Sequence, residues 1–208
     1  LVSSGEERAF YHPAWSPDGK RIAAIGHRLE SGNPTREDVY VFRSRAGQQG
    51  TNLTAQADLF VDAAMNSDLY GPAPAGTQWS PDGESIYFNA PTDGSFELWR
   101  VRLEDRRVER LTKGQHMLVL PSIAAAGKGL VVAAVRGTAT TPPDVVAFGL
   151  SAPEKDPAKP VRPRAMRKLS ELMASAWADI ELVEPQEVWT KVDGRRVQGW
   201  FYEAKGKR

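Results

Sequence analysis

The sequence predicts an all-β protein: a β-propeller segment of about three four-stranded antiparallel blades, ending in a hairpin that opens a second domain. Three observations predict it. The pentapeptide WSPDG occurs twice, at 15–19 and at 79–83. Each copy starts a run of four strand-like segments, and a weaker third run follows. After Met173 the repeat stops, and a hairpin-like segment with no counterpart in the repeat begins. Four short strands per unit of roughly 40–50 residues is the pattern of propeller blades.

The first blade, 11–54, reads HPAWSPDG, RIAAIGH, DVYVFRS and GTNLT. In the pentapeptide, proline pre-sets φ for a turn, Asp tolerates the next position, and Gly supplies the left-handed conformation. This is the chemistry of a type I turn closed by a glycine bulge between antiparallel strands. Ser16, Ser80, Asp18 and Asp82 are therefore turn residues, and the Trp before each turn is expected in the core. The second blade, 75–112, reads GTQWSPDG, ESIYFNA, FELWRVRL and RRVERLT. In its third segment Trp99, Val101 and Leu103 alternate with Arg100 and Arg102, the period of a strand. A Leu-Thr pair closes both blades, at Leu53-Thr54 and Leu111-Thr112. The third blade, 119–172, reads PSIAAAGKG, LVVAAV, DVVAFGL and MRKLSEL, with Ile123 in the tryptophan slot. Trp15 and Trp79 are 64 residues apart against 44 for Trp79 and Ile123, and the excess falls in two loops. One is the second hairpin of blade one; the other is the insertion 55–76, whose Gly71, Pro72, Pro74 and Gly76 suit an irregular loop. The Pro- and charge-rich stretch 151–164 reads as a solvated loop, and 104–107 as a charged turn. Three blades leave a propeller ring open, since closed rings have about four or more. Beyond them, Ser170 is the expected N-cap of a short helix in 169–185. Residues 187–204 then form a hairpin about an Asp193-Gly194 turn.

Composition narrows the function classes. The chain has 208 residues, 41% hydrophobic and 25% charged, with 27 Lys and Arg against 26 Asp and Glu. That balance gives no electrostatic case for nucleic acid or an anionic membrane. No apolar run approaches a membrane span, and no signal-peptide pattern opens the chain. The absence of cysteine excludes disulfides and thiol catalysis and fits a cytoplasmic location. With no initiator Met, the chain is expected to be a piece of a longer protein.

The WSPDG blades followed by LVEPQEVWTKVDGRRVQGWFYEAKGK resemble the prolyl oligopeptidase family of serine peptidases, in its acylaminoacyl-peptidase-like branch. Glu184, Pro185, Glu187, Val188, Asp193, Gly194, Val197, Gly199 and Trp200 match the family's junction pattern, and Asn66-Ser67-Asp68-Leu69 resembles a segment found before such a blade. The resemblance implies that 1–173 belongs to a propeller and that 174–208 is the junction and first hairpin of a catalytic α/β-hydrolase domain, cut off at Arg208. It implies that the propeller covers and gates the active site for hydrolysis of short peptides. The partners implied are that hydrolase domain, the remaining blades and a peptide substrate; a homo-oligomer is compatible with all of this.

The family's catalysis uses a Ser-His-Asp triad with the serine on a G-x-S-x-G elbow. Neither that elbow nor a His-Gly-Gly segment occurs here. The expectation is no catalytic, cofactor-binding or metal-ligating residue in this chain, and an inactive fragment of an active parent. His12, His27 and His116 are scattered without metal-ligand spacing. Asp58, Asp62 and Asp68 lack the spacing of a calcium loop. The six tryptophans are expected to pack in the core. The insertion 55–76 is the one segment whose length suggests contact with substrate. The rival reading is a non-enzymatic WSPDG propeller for protein binding, like that of the Tol system; the junction hairpin favours the peptidase.

Overall fold

The computed structural model describes residues 7–30, 36–47, 49–62, 76–151 and 163–204. Its architecture is almost wholly β. β1 (Arg8–Trp15), β2 (Arg21–Arg28), β3 (Asp38–Arg43) and β4 (Thr51–Asn52) form one antiparallel sheet in chain order. β5 (Gln78–Trp79), β6 (Ser85–Thr92), β7 (Ser95–Arg102) and β8 (Val108–Arg110) form a second. β9 (Met117–Ala126), β10 (Gly129–Gly137), β11 (Asp144–Leu150) and β12 (Arg167–Lys168) form a third. The second and third sheets are stitched by one parallel bridge, Phe96 to Met117. These are the three blades, in the segments that the repeat predicts. They are followed by α1 (Ala174–Trp177) and by the hairpin β13 (Gln186–Val192) and β14 (Arg195–Phe201). No helix among the described residues is long and apolar enough to cross a membrane.

The core lies between blades. Ala23, Ile25 and Val39 of blade 1 pack on Trp79, Ile86, Phe88 and Ala90 of blade 2. On the opposite face of β6, Tyr87 joins Leu98, Leu118, Val132 and Phe148 in the seam with blade 3. β6 is therefore buried on both sides, so it reads as a run, SIYFNA, rather than an alternation.

Both SPDG turns fold alike. Ser16 Oγ donates to Asp18 Oδ1 at 2.6 Å and accepts the Arg21 N–H at 2.9 Å. Ser80 Oγ donates to Asp82 Oδ1 at 2.5 Å and accepts the Ser85 N–H at 2.9 Å. Gly19 and Gly83 take φ +68° and +72°, the left-handed region that the turn requires.

A second device repeats in all three blades. The hydroxyl of Thr54, Thr112 or Ser170 donates to the carboxylate that opens the third strand: Asp38 at 2.7 Å, Glu97 at 2.5 Å, Asp144 at 2.7 Å. The same hydroxyl accepts the next backbone N–H, from Val39, Leu98 or Val145, at 3.1, 3.0 and 2.9 Å. The leucine before it, Leu53, Leu111 or Leu169, bonds the carbonyl of that same residue at 2.8 Å. Each blade is thus clasped where its short fourth strand ends. Two expectations are corrected here. Ser170 does not cap α1, because its hydroxyl is occupied by the Asp144 clasp; α1 is a single turn with Met173 at its N-cap and no side-chain cap. Trp15 is 61% exposed although Trp79 is 8% exposed. Trp79 packs towards the preceding blade, its Nε1–H donating to Ala14 O at 3.0 Å. No described residue offers Trp15 such a blade.

Candidate functional site

Antiparallel blades send their connections to two ends of the stack. The two SPDG turns lie together at one end, where the Arg21 guanidinium donates to Gly83 O at 3.0 Å and sits over the Trp79 ring. At the opposite end lie the β6–β7 turn, the β10–β11 loop and the blade-to-blade connections. The hairpin docks at this second end. Gln198 Nε2–H donates to Asp93 O at 3.0 Å, and Gln115 Nε2–H to Glu187 Oε2 at 3.3 Å. The Thr140 hydroxyl donates to the Glu184 carboxylate. Trp200 lies so close on Gly94 that a Cβ there would overlap its ring. Asp93 and Gly94 both have positive φ, as do Asp193 and Gly194. These are two-residue turns of the same mirror-image kind.

Between blades and hairpin is a cleft of about 400 Å³. Met117, Thr138 and Pro143 form its blade wall, and Trp177, Leu182, Trp200 and Tyr202 the other. Behind the blade wall sits the most elaborate of the three clasps. Glu97 is fully buried and accepts from Thr112, from the Arg110 guanidinium at 2.8 Å and from the Gly114 N–H at 2.9 Å. His116 Nε2 is 3.0 Å from Glu97 Oε2, so a cleft-lining ring is fixed by a buried carboxylate. Burial works against the Glu97 charge, but the bonds from His116, Thr112 and Arg110 prevail and hold its pKa down to about 2.

The residues weighed from the sequence do not converge. His12 stands exposed at an irregularity of β1, with φ +52°. His27 Nδ1 lies 3.9 Å from Glu37 Oε1, and His116 is in the clasp. Among the described residues no group of three or more His, Asp or Glu is arranged for a metal ion. Asp58 is exposed and Asp62 is buried; Asp68 lies outside the described residues. Burial, then the Glu37 carboxylate, push the Asp62 pKa up to about 7. Asp105 accepts both arms of Arg102, at 3.1 and 2.9 Å, in the charged turn expected there. Of the tryptophans, Trp79 is in the core and Trp99 is half-buried; Trp15, Trp189 and Trp200 are exposed, and Trp177 and Trp200 line the cleft. Core packing was thus the wrong expectation for those last four. Their burial depends on surfaces beyond the blade seams. The Glu97–His116 pair was not anticipated; its signal is a Glu where the other blades carry Asp, followed by a His just before β9.

No family model matches the chain. Over 115 residues it is 29% identical to dipeptidyl-peptidase 5 of Porphyromonas gingivalis, covering 55% of this chain and 15% of that protein. Among solved structures, the acylaminoacyl peptidase of Pyrococcus horikoshii superposes with a TM-score of 0.59 at 20% identity, over 95% of this chain and 25% of that one. The chain is related to the prolyl oligopeptidase family. The superposition shows a shared fold. An uncharacterized protein of Agrobacterium fabrum is 31% identical over 121 residues, 58% of this chain and 34% of its own. The chain therefore spans about a third or less of the curated relatives it matches.

Proposed function

We propose that this chain is part of the propeller of a serine oligopeptidase of the acylaminoacyl-peptidase-like branch, with 1–173 in the propeller and 174–208 opening its α/β-hydrolase domain. The hairpin carries this reading. An isolated two-stranded hairpin is marginal in water, and β13–β14 exposes Val188, Trp189, Val197, Trp200 and Phe201 on its two faces. It docks on the blades through a few polar ties and leaves its apolar surface for further strands. The propeller then covers the catalytic centre, and peptides reach it past the propeller or through a gap between the domains. The insertion 55–76 leaves and re-enters the blades at the hairpin's end, although 63–75, with Asn66–Leu69 and Gly71–Pro74, lie outside the described residues. Residues 152–162 also lie outside the described residues. We place the protein in the cytoplasm, which its lack of cysteine supports.

A fluorophosphonate probe tests the reading. The intact protein should be labelled on one serine beyond Arg208 and should hydrolyse short peptide p-nitroanilides, and residues 1–208 alone should do neither. Labelling of a serine within 1–208, or an intact protein that is neither labelled nor active, overturns it.

A further inference from the structure

The cleft combines three features that point to a ligand rather than to packing alone. Its outer wall holds large aromatic surface, Trp177, Trp200 and Tyr202, in a concave place; Trp200 is 44% and Tyr202 57% exposed. Pockets of roughly 300–1,000 Å³ with apolar walls and few polar groups are the usual form of a small-ligand site. The charges at its margin are of one sign. Asp93 and Glu184 line it, and no Lys or Arg does among the described residues. His116, also in the wall, has its Nε2 engaged with Glu97. A cation is therefore met by carboxylates without competition from a resident base. Aromatic faces select among cations. A planar guanidinium stacks on indole while keeping its edge for carboxylates, which a compact ammonium does less well. The molecule uses this contact itself, with Arg196 at 4.0 Å over Trp189 and Arg21 at 5.2 Å over Trp79.

We propose that the cleft between blades 2 and 3 and the hairpin binds the arginine side chain of a short peptide, with the guanidinium against Trp177 and Trp200 and its edge towards Asp93 and Glu184. The guanidinium site is built from the chain's own residues; that a short peptide carries the arginine rests on the peptidase reading, which the fluorophosphonate test addresses separately. The test is calorimetric titration of the intact protein, first treated with a sulfonyl fluoride so that no turnover contributes, with acetyl-Phe-Arg amide. Its citrulline counterpart has the same shape without the charge. The arginine peptide should bind saturably and the citrulline peptide about tenfold more weakly, the loss expected when a charge-assisted hydrogen bond becomes neutral. The double variant Asp93→Asn, Glu184→Gln should bring the arginine peptide down to the level of the citrulline one. Asn tolerates the left-handed backbone at 93, so the turn survives. Absence of saturable binding, equal binding of both peptides, unchanged binding in the double variant, or binding only to untreated protein overturns the proposal.

Discussion

Gly83 shows how much one backbone angle carries. It sits at φ +72°, and a Cβ there would stand 3.3 Å from the Arg21 guanidinium. Valine in that position meets both the left-handed penalty and the neighbour. Gly83→Val should lower stability by about 2 kcal/mol, read from denaturant unfolding. Ser80→Ala is different in kind. It removes the acceptor of the Ser85 N–H and a donor to Asp82, which costs about 1–2 kcal/mol. It lies at the end of the stack away from the hairpin, so peptide turnover by the intact protein should be unchanged. Loss of kcat in a stably folded Ser80→Ala protein would show that this serine is more than a turn residue. Asp62 predicts a pH effect. Its pKa is raised on folding to about 7, so the folded state holds the proton more tightly than the unfolded chain. Stability from this group is full below the ordinary Asp range, near pH 4, and is lost as pH rises through 7. Asp62→Asn, which also tolerates the φ of +58° at this position, should flatten the fall in Tm between pH 4 and 8. An unchanged slope would remove Asp62 as its source.

At the scale of the element, the clasp explains how fourth strands of two or three residues hold a blade edge. One hydroxyl bonds both the carboxylate and the backbone of the third strand. In blade 2 the site is buried, so Thr112→Val leaves the Leu98 N–H without its acceptor and removes one of the two contacts of Glu97 Oε2, the other being His116 Nε2. The expected cost is about 2–4 kcal/mol, with Thr112→Ser within about 1 kcal/mol of the native protein. Equal losses in both variants would mean that the methyl group, not the hydroxyl, matters. Glu97 adds a linkage of opposite sign to that of Asp62. Its pKa is lowered on folding to about 2, so its contribution is present above the ordinary Glu range and is lost as pH falls from about 5 to 2. The Leu-Thr pairs were visible in the sequence as repeated letters. Their partners were not, because Asp38, Glu97 and Asp144 lie 16, 15 and 26 residues before their hydroxyls. Only strand register brings them together.

For the whole molecule, the two ends of the stack have different tasks. One is closed by SPDG turns; the other receives the hairpin. The hairpin's exposed aromatic residues and the face of blade 3 where Val131 is 38% exposed leave apolar surface uncovered among the described residues. Such surface and free strand edges favour association. The isolated segment should therefore elute as mixed or associated species in size-exclusion chromatography with light scattering. A monodisperse monomer that unfolds cooperatively would count against an open set of blades.

The order of strands was legible from the sequence alone because it is local. Turn residues such as Pro17-Asp18-Gly19 and Asp193-Gly194, and the two-residue period of Trp99, Val101 and Leu103, act through neighbours a few positions away. The resemblance of the hairpin's motif to a junction rests on the same local letters. What the tertiary structure decided is everything that depends on which surfaces meet. Trp79 is buried and Trp15 exposed in the same pentapeptide, because among the described residues only Trp79 has a blade to pack against. Ser170 holds Asp144 instead of capping a helix, because β11 presents that carboxylate to it. Asp93, His116, Glu184 and Trp200, far apart in the chain, border one cleft because antiparallel strands return their connections to one end of the stack.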